Sequence, residues 1–182
     1  MFKKTLISLS IVLPLIFAGC SSSDDESSMV ATNTFHLVDT DGADYNVTKS
    51  GLNFTVEGHE NKVIMFDIFA TWCPPCRAEA PNLTHLQKKY RSELLILGVT
   101  IEDDIPNEKI EYFKEEYGAD YVIVNSKENE LLYHAIASAT KVGQRFPIPL
   151  MVMYKDGQYI THYVGQTPEE MIESDIKKAL GK

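Results

Sequence analysis

Basic residues are in short supply. Lys and Arg number 17 against 26 Asp and Glu, a formal net charge of −9. An acidic surface repels phosphate backbones, which argues against nucleic acid as a partner. Loss of an N-terminal segment carrying Lys3 and Lys4 makes the remainder more acidic still. Long apolar runs are missing too. The run over residues 6–17 is interrupted by Ser8, Ser10 and Pro14 and falls short of the roughly 18–20 residues a membrane span needs. Cysteine is scarce, with three in 182 residues. No second cysteine pair accompanies Cys73 and Cys76, and the five histidines, His36, His59, His85, His134 and His162, show no ligand spacing. A tetrahedral zinc site wants four ligands, so no metal is expected, and no other cofactor. No internal repeat is visible. What remains is ordinary for a globular protein, 44% hydrophobic and 24% charged. The length suits one domain behind a short targeting segment, large enough to bury a core without disulfide staples.

The first twenty residues, MFKKTLISLSIVLPLIFAGC, have the layout of a secretory signal: a basic start, a short apolar run, then small residues before Cys20. Phe17-Ala18-Gly19-Cys20 resembles a bacterial lipobox, with Phe17 where the motif usually has Leu. The resemblance implies a leader over residues 1–19 and a diacylglycerol thioether on Cys20, making Cys20 the lipid attachment site rather than a redox group. The stretch SSSDDESS at 21–28 is too polar to form a core and reads as part of a tether over 20–33. Ser21 after the cysteine resembles lipoproteins sent to an outer membrane, in cells that have one. A domain over 34–182, held outside the cytoplasm, sits where disulfides persist.

Phe35, Leu37, Tyr45 and Val47 flank Asp41-Gly42 in a hairpin pattern, with a short strand expected at 53–56. Residues 63–70, VIMFDIFA, are almost continuously apolar, the mark of a strand covered on both faces. A helix is expected over 74–91, with Ala80, Leu83, Leu86 and Tyr90 on one face and a kink at Pro81. Residues 94–100 form a second buried strand. Pro106 opens a helix that ends at Tyr117 before the C-cap Gly118. A strand at 121–124 and a helix at 128–137 follow. Strands at 149–154 and 158–163 then turn about Asp156-Gly157. Thr167, Pro168 and Glu170 predict a capping box for the last helix. The alternation in the middle implies parallel strands with helical crossovers: an α/β fold.

Trp72-Cys73-Pro74-Pro75-Cys76 lies between a buried strand and a helix start. The positive end of a helix stabilises a thiolate at its first residues, which makes Cys73 the candidate nucleophile. Pro74 suits a first turn that needs no N–H. Cys76, one turn on, can close a disulfide and resolve a mixed disulfide on Cys73, with Trp72 covering the pair. A structural disulfide that never cycles is the bland alternative. Asp67 stands within the doubly apolar strand, where an unpaired carboxylate is costly. Burial would raise its pKa toward the range of a neutral-pH acid/base; a water-facing edge position is the other reading.

Residues 63–81, VIMFDIFATWCPPCRAEAP, resemble the active-site segment of thioredoxin-like proteins, and the Trp-Cys-Pro-Pro-Cys form with Arg77, Glu79 and Pro81 is similar to exported reductases of the TlpA/ResA type. The likeness extends over most of 34–180. It implies a thioredoxin-like fold with an N-terminal β-hairpin extension and a central α/β insertion. The segment Ile148-Pro149-Leu150-Met151 resembles the family's cis-proline loop, which implies a cis Ile148–Pro149 bond facing the cysteines. Trp72, Pro74, Pro75, Ile148 and Pro149 are thereby candidate substrate contacts. Asp67 matches the buried aspartate of thioredoxin, whose family role is proton transfer with the second cysteine; many TlpA-type proteins carry a neutral residue there. Glu79 is either a secondary charge near the site or part of a solvated helix face. The resemblance further implies protein-disulfide reduction, with disulfide-containing protein substrates, a membrane electron donor and membrane attachment through the lipid. The family includes proteins that keep apocytochrome c thiols reduced. A monomer in the cell envelope, on the periplasmic side, is expected. The rival readings are an oxidase using the same site and a non-catalytic binding or assembly module. A peroxidase would want a lone cysteine in a Thr-x-x-Cys setting with an activating Arg, and a copper chaperone a wider cysteine spacing.

Overall fold

The computed structural model describes residues 32–143 and 145–182. The expected leader 1–19, the Cys20 attachment site and all but the end of the expected tether 20–33 lie outside the described residues. Eight strands and four helices follow in the order β1 (Thr32–Val38), β2 (Asp44–Ser50), β3 (Asn53–Val56), β4 (Val63–Phe69), α1 (Pro74–Lys89), β5 (Leu94–Thr100), α2 (Asn107–Tyr117), β6 (Val122–Val124), α3 (Asn129–Thr140), β7 (Leu150–Lys155), β8 (Gln158–Val164) and α4 (Glu169–Ala179). Among the described residues no helix is long and apolar enough to cross a membrane.

The two near-continuous apolar runs become β4 and β5, every residue of which is buried. They lie at the heart of a five-stranded sheet of order β6-β5-β4-β7-β8. β4 pairs in parallel with β5, and β5 with β6, while β7 and β8 add an antiparallel side. Side chains alternate across a strand, so β4 divides its residues between two cores. Val63, Met65 and Phe69 face α1, α2 and α4, meeting Leu83, Phe113 and Ile172. Ile64, Phe66 and Ile68 face the other way, against α3 and the small sheet β1-β2-β3. Asp67 shares the parity of Met65 and Phe69, which places it on the α1 side.

The N-terminal hairpin is therefore part of a three-stranded sheet that covers one face of the large one. Its Phe54 is fully buried, with ring centroids 5.2 Å from Tyr154 and 6.1 Å from Phe66. Backbone bonds tie it down at both ends: the Phe54 N–H donates to the Gly157 carbonyl over 2.9 Å, and the Asn125 N–H to the Val38 carbonyl over 2.8 Å.

Local chemistry explains most boundaries. Asp156 and Gly157 both have positive φ, 53° and 76°, the requirement of a tight two-residue hairpin turn. Gly118 closes α2 in the left-handed conformation at φ 66°, as its position implied. α1 runs on through Pro81, whose missing N–H leaves one rung of the helix unmade. Two expectations need correction. The helix expected over 128–137 extends to Thr140. The capping box of the last helix does not form: α4 starts after Pro168 with no side-chain cap, because the Thr167 hydroxyl donates to the Gly165 carbonyl and the Thr167 N–H is taken by Glu79.

Candidate functional site

The C-terminal end of β4 delivers the chain to α1 through Ala70-Thr71-Trp72. Cys73 is the N-cap of α1, with extended dihedrals (φ −81°, ψ 113°), and Cys76 sits one turn into the helix. The two are disulfide-bonded, with Cα atoms 5.3 Å apart, and each is only 3% exposed. Pro74 and Pro75 fill the first two helical positions. Neither carries an N–H, so the helix end offers the Cys73 sulfur fewer donors than an ordinary first turn would. Trp72, next to Cys73 in the chain, stands 58% exposed.

The loop before the cysteines is held by two side chains. Glu102 accepts hydrogen bonds from the Thr71 N–H and the Thr71 hydroxyl, and its own N–H donates to Thr100. The Arg77 Nε–H donates to the Thr71 carbonyl over 2.7 Å, while its guanidinium lies 4.9 Å over the Tyr117 ring. Glu102 did not stand out in the sequence, since only the fold joins it to Thr71.

The Ile148–Pro149 peptide is cis, as the resemblance implied, and Pro149 is buried. The Ile148 carbonyl oxygen lies 3.8 Å from Cys73 Sγ. The Pro149 carbonyl accepts from the Gly165 N–H over 2.8 Å, so the loop is braced on its far side by the end of β8.

Asp67 is 3% exposed, which rules out the water-facing alternative. Its Oδ2 accepts a hydrogen bond from the Tyr121 hydroxyl over 3.0 Å, and its Oδ1 has no partner among the described residues. Burial pushes the carboxyl up to about 7, the Tyr121 hydrogen bond opposes the rise, and the nearby Glu79 adds to it. Tyr121 itself is held neutral, its pKa raised well above the ordinary value by burial and then by Asp67. Glu79 is no solvated face residue: it is 1% exposed. Its Oε2 accepts the Thr167 N–H over 3.0 Å and its Oε1 is unpaired among the described residues. Burial raises its pKa, opposed by the Thr167 N–H and the Asn82 side chain. Two carboxyls whose pKa values burial raises thus lie in the same layer of the fold as the cysteine pair.

Tyr121 was missed at the sequence level. A signal for it exists in β5, LLILGVT, where a glycine interrupts a buried strand and so marks a close approach by a neighbour. A cavity of about 560 Å³, lined by Thr100, Glu102, Asp103, Asp104, Glu130 and Tyr133 among others, adjoins the Thr71 anchor but includes neither cysteine.

Comparisons with known proteins agree with this arrangement. The thiol–disulfide oxidoreductase ResA of Bacillus anthracis is 21% identical over 178 residues, covering 97% of this chain and 98% of that one. A thiol:disulfide interchange protein of the thioredoxin family from Chlorobium tepidum superposes with a TM-score of 0.58 at 20% identity, covering 81% of this chain and 94% of its own. The exposed lipoprotein thioredoxin of Streptococcus pneumoniae gives 0.55 at 19% identity, covering 80% and 99%. The family model described as Redoxin matches residues 30–180. With that match spanning most of its length, and a buried cysteine pair at the helix start, the chain belongs to the Redoxin family as a redox enzyme of the thioredoxin-like TlpA/ResA type.

Proposed function

We propose that the chain is an exported, lipid-anchored thiol–disulfide oxidoreductase that reduces disulfides in proteins outside the cytoplasm. The observation that carries the reading is the approach of the Ile148 carbonyl to Cys73 Sγ, 3.8 Å, beside a disulfide-bonded pair at a helix N-terminus. An extended substrate segment lying along Ile148 and Pro149 would bring its disulfide onto Cys73, with the exposed Trp72 and the Pro74-Pro75 turn as flanking apolar contacts.

The cycle follows from thiol chemistry. The Cys73 thiolate attacks a substrate disulfide, breaking its S–S bond, forming a mixed disulfide and releasing the first substrate thiolate. Asp67 as carboxylate takes the Cys76 proton, and the Cys76 thiolate attacks Cys73 Sγ. The Cys73–Cys76 bond forms and the second substrate thiolate leaves, taking up a proton. The substrate gains two electrons and the enzyme loses two, which a membrane donor restores. The lipid anchor rests on residues 17–20 and would hold a monomeric domain at the cell envelope behind its tether. The Streptococcus pneumoniae neighbour is itself an exposed lipoprotein.

The reduction potential of the full chain in detergent, equilibrated with glutathione or dithiothreitol, tests this, with Cys73→Ser as control. A couple at or below about −220 mV supports a reductase, and one near −120 mV makes the chain an oxidase. A pair that never exchanges under native conditions leaves a non-catalytic thioredoxin-like lipoprotein.

A further inference from the structure

Asp67 and Tyr121 come from different strands, separated by β5. In the β4–β5 ladder Asp67 is opposite Gly98, and in the β5–β6 ladder Gly98 is opposite Ile123. Tyr121 enters just ahead of β6, and its ring crosses β5 at this glycine. A Cβ at position 98 would stand 3.2 Å from Tyr121 Cε2, 3.0 Å from Ile123 Cγ1 and 3.3 Å from Phe69 Cε1. Any side chain there would meet the ring on its way to Asp67.

The other groups around Asp67 do not provide a donor. Its strand neighbours, Gly98 and Met151, carry no charge. α2 and α4 present Ile110, Phe113, Ile172 and Ile176 to this face. Tyr90 and Tyr163 reach the same cluster, but their hydroxyls donate to Glu173 and Asp175. The titratable groups left on this face are Cys73, Cys76 and Glu79, on α1 or its cap, and Tyr117 of α2, whose ring lies under the Arg77 guanidinium. The Tyr121 hydroxyl is thus the one hydrogen bond Asp67 receives among the described residues.

We propose that Tyr121 is a positioning residue for disulfide exchange: its hydroxyl, admitted across β5 by Gly98, holds Asp67 as a carboxylate able to take the Cys76 proton. The inference rests on the reading of Asp67 as the base in the cycle above. A phenol that stays neutral is a permanent donor, and a donor favours the carboxylate over the neutral acid. Burial and the neighbouring Glu79 push the other way. Without the hydroxyl nothing on this face would oppose them, and Asp67 would hold its proton at neutral pH, leaving Cys76 to lose its own to water.

The test is the pH dependence of the single-turnover step in which Cys76 resolves a mixed disulfide on Cys73. It uses the reduced full chain, a chromogenic aromatic disulfide as probe, and folding checked by thermal melting. Tyr121→Phe is expected to move the acid limb of the profile up by about one pH unit, slowing the step about fivefold at pH 7 and about tenfold on the acid side of the limb. Asp67→Asn is expected to abolish the limb, and adding Tyr121→Phe to it should change the profile no further. A limb unmoved by Tyr121→Phe but abolished by Asp67→Asn overturns the inference alone. A limb that survives Asp67→Asn overturns it together with the assignment of Asp67 as base. Should Tyr121→Phe fail to fold, Gly98→Ala serves instead. It keeps the hydroxyl but crowds the ring, so the same upward displacement supports the inference and an unmoved limb overturns it.

Discussion

Asp67 carries a stability cost as well as a chemical role. Its folded-state pKa is about 7, against 3.8 for an ordinary aspartate, so between those values the native state binds the extra proton. Stability then falls as pH rises from about 4 to about 7 and stays low above, by on the order of 4 kcal/mol at full ionisation. Asp67→Asn removes that cost. We expect urea midpoints of the variant and the parent to converge near pH 4 and the variant to be the more stable above pH 7, while its exchange slows. Cys73 poses a second question at this scale. Two prolines in the first turn withhold N–H groups that would otherwise favour its thiolate. Replacing both, Pro74→Ala with Pro75→Ala, should lower the pH midpoint of Cys73 alkylation. It should also make the couple more oxidising, since a stabilised thiolate stabilises the reduced form; a potential that moves to more negative values would contradict this.

Among the elements, α1 does most for the site, and its start is fixed from outside. The Glu102 carboxylate holds both the backbone and the hydroxyl of Thr71, two residues before Cys73, and Arg77 holds the same residue's carbonyl. Charged acceptors make stronger hydrogen bonds than neutral ones, each worth about 1.5–3 kcal/mol. Glu102→Ala should therefore destabilise the fold by about 2 kcal/mol and lower the hydrogen-exchange protection of the Thr71 amide far more than that of β4 amides. Uniform loss across the sheet would mean that Glu102 supports the core rather than the loop. The start of α4 teaches the opposite lesson about local signals. Thr167, Pro168 and Glu170 spell a capping box, yet Glu79 takes the Thr167 amide and the hydroxyl turns back to Gly165. A buried carboxylate in want of a donor outcompetes a local cap.

For the whole molecule, the N-terminal sheet is a structural layer rather than an appendage. It closes the face of the central sheet opposite the catalytic helix, with Phe35, Leu37, Val47, Phe54 and Val56 buried against Phe66, Val152 and Tyr154. Truncating a buried aromatic costs about 3–5 kcal/mol through lost transfer energy and the cavity left behind. Phe54→Ala should cost that much in chemical denaturation while leaving the reduction potential within a few tens of millivolts of the parent value, because the cysteines lie on the other face. A large shift in potential would show that the two layers are coupled.

Much of this protein was legible along the chain. Continuous apolar runs identified β4 and β5 because only a strand covered on both faces has no polar side. Asp156-Gly157 and Gly118 marked their turns because positive φ is a local demand. The cysteine pair and the helix behind it could be read because spacing and backbone chemistry act over a few residues, whereas the cis-proline was implied by the resemblance of residues 148–151 to a family loop. Asp67 was legible as an anomaly: a charge in an apolar strand. What only the tertiary structure decided are the partners of those residues. Tyr121 reaches Asp67 across Gly98, Thr167 reaches Glu79 from 88 residues away, and Glu102 reaches Thr71 from 31. Hydrogen bonds and desolvation depend on which atoms meet in space, and a sequence orders its residues along one dimension while the fold packs them in three.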